Sequence, residues 1–255
     1  AFHHTIPDYA YMYGLPYVLY KKYSIRRYGF HGTSHVFVAN RAAKMLGKKL
    51  EDIKVATCHL GNGASIAAVK YGNSIDTSMG FTPLEGLIMG TRSGDIDPAI
   101  ILRIMSEEEL SLHEARTLLN KHSGLIGVSG VSSDMRDIIE AKDEGNDRAI
   151  LAFAMYCYRV KKYIGSYATA MGGVDCIVFT GGIGENSPDV RAGVLSDMDW
   201  LGLEFDEAKN KSAKGTESDI SSDESRVRAL VIPTNEELVI AQDTKKLVEE
   251  NVSSK

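Results

Sequence analysis

The sequence predicts an α/β domain in which a mixed β-sheet is covered by helices. Three observations carry that prediction. Three short β-rich runs follow one another between residues 53 and 79, four helical patterns occupy residues 98–171, and strand and helix then alternate to the end of the chain. Pattern alone does not fix the strand order.

The first 30 residues hold seven of the chain's 12 tyrosines, with Pro7 and Pro16 interrupting any long element, and read as a short helix and a turn. Ser34 is placed to cap a helix whose apolar positions Val38, Ala42, Met45 and Leu46 recur at helical spacing, ending at Gly47. Residues 53–58, 65–69 and 75–79 read as strands, the first pair joined by a glycine turn and the second by Tyr71-Gly72-Asn73-Ser74. Helical patterns follow around 98–105, 112–122, 133–141 and 148–171. The last is the most regular, with Ile150, Phe153, Cys157, Val160, Ile164, Tyr167 and Met171 on one face. Residues 174–180 read as a buried strand running into the glycine loop 181–186 and a helix from near Pro188. The Ser/Asp/Glu-rich stretch 212–225 reads as a solvated excursion, 227–232 as a final strand, and an amphipathic helix through Leu238, Ala241 and Leu247 precedes a frayed tail.

With 255 residues, 44% apolar and 25% charged, the chain can bury a sizeable core in one large or two ordinary domains, which excludes disorder and collagen-like repetition. A net charge of −5 gives no general attraction to nucleic acid or anionic membrane, while locally gathered basic residues leave room for an anionic small substrate. Cys58, Cys157 and Cys176 lie apart in apolar segments without metal or redox spacing, and read as reduced core residues. With no apolar run long enough for a membrane span and no leader pattern, a cytoplasmic address is expected. The chain opens on Ala1 inside patterned sequence, so it is expected to be the later part of a longer polypeptide.

Three glycine-rich loops offer chemistry: His59-Leu60-Gly61-Asn62-Gly63-Ala64-Ser65, Gly90-Thr91-Arg92-Ser93-Gly94-Asp95, and 181–186. Glycine lets backbone N–H groups approach phosphate oxygens that a Cβ would keep away, and helix N-termini add partial positive charge. Any one such loop is equally readable as a tight turn; three together suggest a nucleotide. The Rossmann and P-loop signatures are missing. Arg92 between two glycines suits bidentate contact with a phosphoryl group. His31 and His35 flank Gly32-Thr33-Ser34 at a helix start, where a histidine is also commonly a cap or core residue. Glu236 and Glu237 suit a hard cation such as Mg²⁺, or simply the first turn of a helix.

These residues carry a resemblance. The runs Ile25-Arg26-Arg27-Tyr28-Gly29-Phe30-His31-Gly32-Thr33-Ser34-His35, Val55-Ala56-Thr57-Cys58-His59-Leu60-Gly61-Asn62-Gly63, Met89-Gly90-Thr91-Arg92-Ser93-Gly94-Asp95, Phe179-Thr180-Gly181-Gly182-Ile183-Gly184-Glu185-Asn186 and Pro233-Thr234-Asn235-Glu236-Glu237 resemble acetate kinases, in order over nearly the whole chain. The resemblance implies a ribonuclease-H-like (actin-like ATPase) domain and reversible transfer of the ATP γ-phosphoryl group to acetate with Mg²⁺. It places His31 and Arg92 as the pair that stabilises the transition state. His59, Leu60, Gly61, Asn62 and Gly63 become a phosphate loop, Asp134, Met135 and Arg136 a nucleotide-contacting segment, and Gly182, Ile183, Gly184, Glu185 and Asn186 the adenosine-side loop. Phe30 and Pro83 become part of an apolar acetate pocket, and Glu236 the magnesium-associated carboxylate. It further implies a homodimer formed through this domain. Propionate or butyrate kinase is the alternative within the class, and a non-catalytic nucleotide-binding or dimerisation module the alternative outside it. The family's amino-terminal domain has no counterpart here. Residues 1–236 are therefore expected to be the second domain, and 237–255 a helix that packs on the missing one and is undocked, swapped or poorly ordered without it.

Overall fold

The computed structural model describes residues 1–235 and Thr244. The expected helix 237–255, apart from Thr244, and Glu236 therefore lie outside the described residues.

The amino-terminal segment forms two short helices, α1 (Asp8–Tyr11) and α2 (Tyr17–Tyr23), each entered through a proline, Pro7 and Pro16. The prolines start helices here as well as separating them. Next comes α3 (Gly32–Met45), and here the expected cap is wrong: Gly32 opens the helix, His31 occupies the N-cap in a left-handed conformation with φ 59°, and Ser34 sits inside the first turn. The Ser34 hydroxyl is engaged across the fold with His59, which leaves it unable to cap.

Strands β1 (Lys54–Leu60), β2 (Ala64–Lys70) and β3 (Asn73–Thr77) form an antiparallel meander. Tyr71 and Gly72 both have positive φ, as the tight turn between β2 and β3 requires. Helices α4 (Pro98–Glu107), capped by Asp97, and α5 (Leu112–Lys121), opened by a Ser111/Glu114 capping box, follow as expected. A short α6 (Gly124–Ser129) was not foreseen; α7 (Met135–Asp143) and α8 (Asp147–Met171) were. The buried stripe of α8 departs from the expected one at its start: Ile150 is exposed, and Ala149 and Ala152 face the core.

Strand β4 (Cys176–Thr180) runs directly into α9 (Gly181–Asn186), so the expected glycine loop is a short helix, followed by α10 (Pro188–Leu195) and α11 (Glu207–Ser212). The polar excursion is not wholly solvated. It contributes β5 (Ser218–Asp219) and buries Ile220 and Ser221, anchored by Asp219 on Arg228 at 2.6 Å. Strand β6 (Arg228–Val231) closes the sheet.

The sheet order is β3-β2-β1-β4-β6-β5, with β1, β4 and β6 parallel and the other neighbours antiparallel. A meander followed by parallel strands reached through helical crossovers is the ribonuclease-H-like arrangement. Strand alternation divides the interior in two. Ala56, Cys58, Leu60, Ile66, Ile177, Phe179 and Val231 join the larger core under α8, α7 and α10. Val55, Ala67, Val69, Val178 and Leu230 join a smaller core with Val38, Ala39 and Ala42 of α3. All three cysteines are buried and unpaired, as expected, and burial raises each thiol's pKa. Among the described residues no helix is long and apolar enough to cross a membrane.

Candidate active site

Open α/β sheets bind ligands outside the carboxyl ends of their parallel strands. Here β1, β4 and β6 end on one edge. β1 turns through Gly61-Asn62-Gly63 into β2, β4 enters α9, and β6 leads to Pro233-Thr234-Asn235.

The parity of β1 that sends Cys58 and Leu60 into the larger core sends Thr57 and His59 to the other face, where α3 delivers His31 and His35. The rings of His31 and His59 stack at 4.2 Å between centroids, inclined by 23°. His59 Nδ1 lies 2.8 Å from Ser34 Oγ, and His31 Nδ1 lies 2.9 Å from Ser65 Oγ. His35 is fully buried beneath them, 2.8 Å from Thr57 Oγ1 and 2.7 Å from Ser65 Oγ. His3 approaches from the amino-terminal turn, its ring 5.7 Å from that of His35 and its Nδ1 2.8 Å from Ser74 Oγ. Burial pushes His3 and His59 down to about 4 and His35 well below the ordinary value. His31 is lowered by burial and then by the charge of Arg92. At neutral pH the four rings are uncharged.

Arg92 sits in a loop held by Met89 N–H donating to its carbonyl at 3.1 Å, and its guanidinium donates to the Pro83 carbonyl at 3.2 Å. Gly63 is where this loop meets the histidines: a Cβ there would stand 3.5 Å from Arg92 Nη1 and 3.9 Å from His31 Nε2. The guanidinium and the imidazole thus face one small space above a residue that leaves it open. Gly90 has the opposite reason to be glycine, since a Cβ would collide with Asn62 Oδ1 and crowd the Ser133 carbonyl. That close approach joins the β1–β2 turn, the Arg92 loop and the segment leading to Asp134. A cavity of about 380 Å³ opens beside them, lined by Asn62, Arg92, Arg116 and Lys121 among others, with no acidic residue in its wall. Among the described residues Arg116 and Lys121 form no ion pair, so this edge is electropositive.

On the β4 side, the Glu185 carboxylate accepts from Gly181 N–H at 2.8 Å, Thr180 Oγ1–H at 3.3 Å and Thr234 N–H at 3.1 Å, tying α9 to the end of β6. Arg191 is fully buried, and among the described residues it forms no ion pair. It donates to the carbonyls of Gly184 and Glu185 at 2.8 and 3.0 Å, to those of Asn210 and Ala213 at 2.8 and 2.7 Å, and to Asn210 Oδ1 at 2.8 Å. Burial lowers its pKa to about 10, so it stays charged at neutral pH and clamps α9 through backbone carbonyls.

Comparison with known proteins decides what this edge belongs to. Residues 1–242 match the Acetokinase family. An acetate kinase of Methanosarcina mazei is 60% identical over 252 residues, 99% of this chain and 62% of that relative. The chain belongs to the acetokinase family. An acetate kinase structure from Porphyromonas gingivalis superposes with a TM-score of 0.96 at 51% identity, covering 97% of this chain and 62% of that one. A propionate kinase structure from Francisella tularensis gives 0.89 at 46% identity, covering 95% and 61%. The chain thus spans about 62% of the length of such acetokinase relatives.

Within this acetokinase fold, the expected residues His31, His59, Gly61, Asn62, Gly63 and Arg92 come together at one edge, with Pro83 bracing Arg92. Phe30 lines a different cavity of about 530 Å³ with His3, Gly29 and Val36. Leu60 and Met135 are buried in the larger core, so any ligand contact of theirs runs through backbone. Asp134 caps α7 and holds the Arg136 side chain at 2.6 Å. Gly182 faces open space, Ile183 packs on the core, Gly184 is buried, Glu185 braces the turn, and Asn186 donates to the Gly182 carbonyl at 3.1 Å. Sequence reasoning missed the structural roles of His3, Thr57 and Arg191. Only Arg191 left a signal: it occupies the apolar stripe of α10 with Val190, Val194 and Leu195.

Proposed function

We propose that this chain is the nucleotide-binding part of an acetate kinase, catalysing reversible transfer of the ATP γ-phosphoryl group to acetate to give acetyl phosphate and ADP. The observation that carries this reading is the space above Gly63, faced at once by Arg92 Nη1 and His31 Nε2. Phosphoryl transfer asks for positioning and for fixed charge against the equatorial oxygens. A guanidinium supplies that charge in planar form, a neutral imidazole N–H adds a fixed dipole, and the backbone N–H groups of Asn62 and Gly63 complete an anion cradle, the Gly61 N–H being spent on the Gly63 carbonyl at 3.2 Å. No side chain here needs to accept the phosphoryl group covalently, so direct in-line transfer follows. Residues 182–186 take the adenosine side, and Asp134-Met135-Arg136 borders it. Pro83, whose carbonyl accepts from Arg92, and Phe30, adjacent to His31 in the chain though its ring also borders the cavity beside His3, are the acyl-pocket residues of this reading.

Among the described residues no group of three or more His, Cys, Asp or Glu is placed to hold a metal. That suits Mg²⁺ carried by nucleotide phosphates with one protein carboxylate, rather than an all-protein cage. Glu236 is the candidate carboxylate, and Thr234 Oγ1, buried without a hydrogen-bond partner among the described residues, lies two residues before it. Mg²⁺ would neutralise phosphate charge during transfer.

In this reading residues 1–236 are the second of two domains, and 237–255 return to a first domain that supplies the opposite wall of the cleft. The enzyme is a cytoplasmic homodimer that dimerises through this portion. The propionate kinase neighbour keeps a longer acyl acceptor as the second reading. The test is acyl phosphate formation from ATP, Mg²⁺ and acetate or propionate, trapped as the hydroxamate. The 255-residue chain alone should show negligible turnover, and the polypeptide extended to family length should be active with acetate preferred. Robust turnover by the short chain would contradict the two-wall account, and an inactive long chain would contradict the activity itself.

A further inference from the structure

We infer that Thr57, His35 and Ser65 form a one-way hydrogen-bond relay that fixes His31 as its Nε2–H tautomer, which makes all three positioning residues for that imidazole. The functional consequence rests on the phosphoryl-transfer reading above; the relay itself does not.

The direction follows from counting protons. The buried Thr57 hydroxyl has one hydrogen and two acceptors within reach: the Ala67 carbonyl at 3.5 Å and His35 Nδ1 at 2.8 Å. O–H donors to oxygen prefer about 2.5–3.0 Å, and the longer contact forfeits most of the bond. The proton therefore goes to His35 Nδ1. A neutral imidazole carries one N–H, and burial keeps His35 neutral, so its hydrogen stands on Nε2 and is donated to Ser65 Oγ at 2.7 Å. Ser65, fully buried as well, must place its own hydrogen elsewhere, and His31 Nδ1 is the acceptor at 2.9 Å. His31 is left with its hydrogen on Nε2, the nitrogen facing the space it shares with Arg92.

The reverse direction would leave the Thr57 hydrogen with only the 3.5 Å carbonyl and would point a lone pair of His31 into the anion space. A buried donor without a good acceptor is costly, and a lone pair facing phosphoryl oxygens repels them. The relay thus turns His31 into a hydrogen-bond donor without giving it a positive charge beside the Arg92 guanidinium.

Long-range ¹H–¹⁵N correlation of the histidine side chains tests this directly, on the nucleotide-free 255-residue chain at neutral pH. His31 and His35 should each show an unprotonated Nδ1 and a protonated Nε2. In Thr57→Val the His31 Nδ1 resonance should move toward the position of a tautomer average, and Thr57→Ser, which keeps the hydroxyl, should restore the wild-type position. A protonated Nδ1 on His31 in the wild-type chain overturns the relay, whether or not the variant folds. So does a Thr57→Val spectrum in which His31 has not moved. Neither result touches the acetate kinase reading, and a failed hydroxamate assay would leave the tautomer assignment intact.

Discussion

The two faces of strands β1 and β2 are made of the same chain and do opposite work. On the α8 side their residues are Ala56, Cys58, Leu60, Ile66 and Ala68, a dry wall of the larger core. One residue over, Thr57, His59 and Ser65 face α3 and meet His31, His35 and Ser34 in a polar, hydrogen-bonded layer. The period of two in a strand therefore lets one ladder carry packing and site chemistry at alternate positions. The difference teaches where each kind of fault will appear: in stability alone on the α8 face, and in proton placement as well on the α3 face, where Val55, Ala67 and Val69 still pack.

The largest effect belongs to the dry face. Ile66→Ala removes a fully buried side chain and should cost about 2–5 kcal/mol of unfolding free energy, measured by denaturant titration, while the His31 and His35 tautomers stay as they are. A His31 tautomer change in that variant would break the separation of the two faces.

An effect smaller per residue sharpens the polar face. His3 and His59 are held down to about 4 when folded, against about 6.5 unfolded. The unfolded chain then binds more protons below the unfolded value, so their contribution is complete above about pH 6.5 and is lost as pH falls toward 4. From pH 7 to 5 the expected loss is roughly 2 kcal/mol for each of these two rings. His31 and His35 act in the same direction, while Asp76, raised by burial, opposes them. Thermal unfolding at the two pH values checks the sign, and equal or greater stability at pH 5 would contradict the neutral-histidine layer.

Much of this was legible in the sequence because its signals are local. The three consecutive strands, the long amphipathic α8 and the glycine-bracketed Arg92 each announce themselves within a few residues. What stayed hidden depends on contacts distant in sequence. Ser34 reads as a cap until β1 brings His59 to it from 25 residues away. The glycine run 181–186 reads as a loop until Arg191, itself held by the Asn210 and Ala213 carbonyls, donates to the Gly184 carbonyl at its end. Thr57 has no local mark at all, because its partner His35 comes from the preceding helix. The motif residues and their order were readable, but the hydroxyls that orient the histidines were not.

The central claim is that the carboxyl edge of β1, β4 and β6 holds nucleotide phosphates. The measurement that tests it most directly is an amide ¹H–¹⁵N titration of the 255-residue chain with Mg²⁺ and ADP. The account predicts the largest, saturable shifts at residues 61–63 and 182–186, accompanied by the His31 Nε2–H signal. Saturation centred on any other part of the fold, or no shift at millimolar nucleotide, would contradict it.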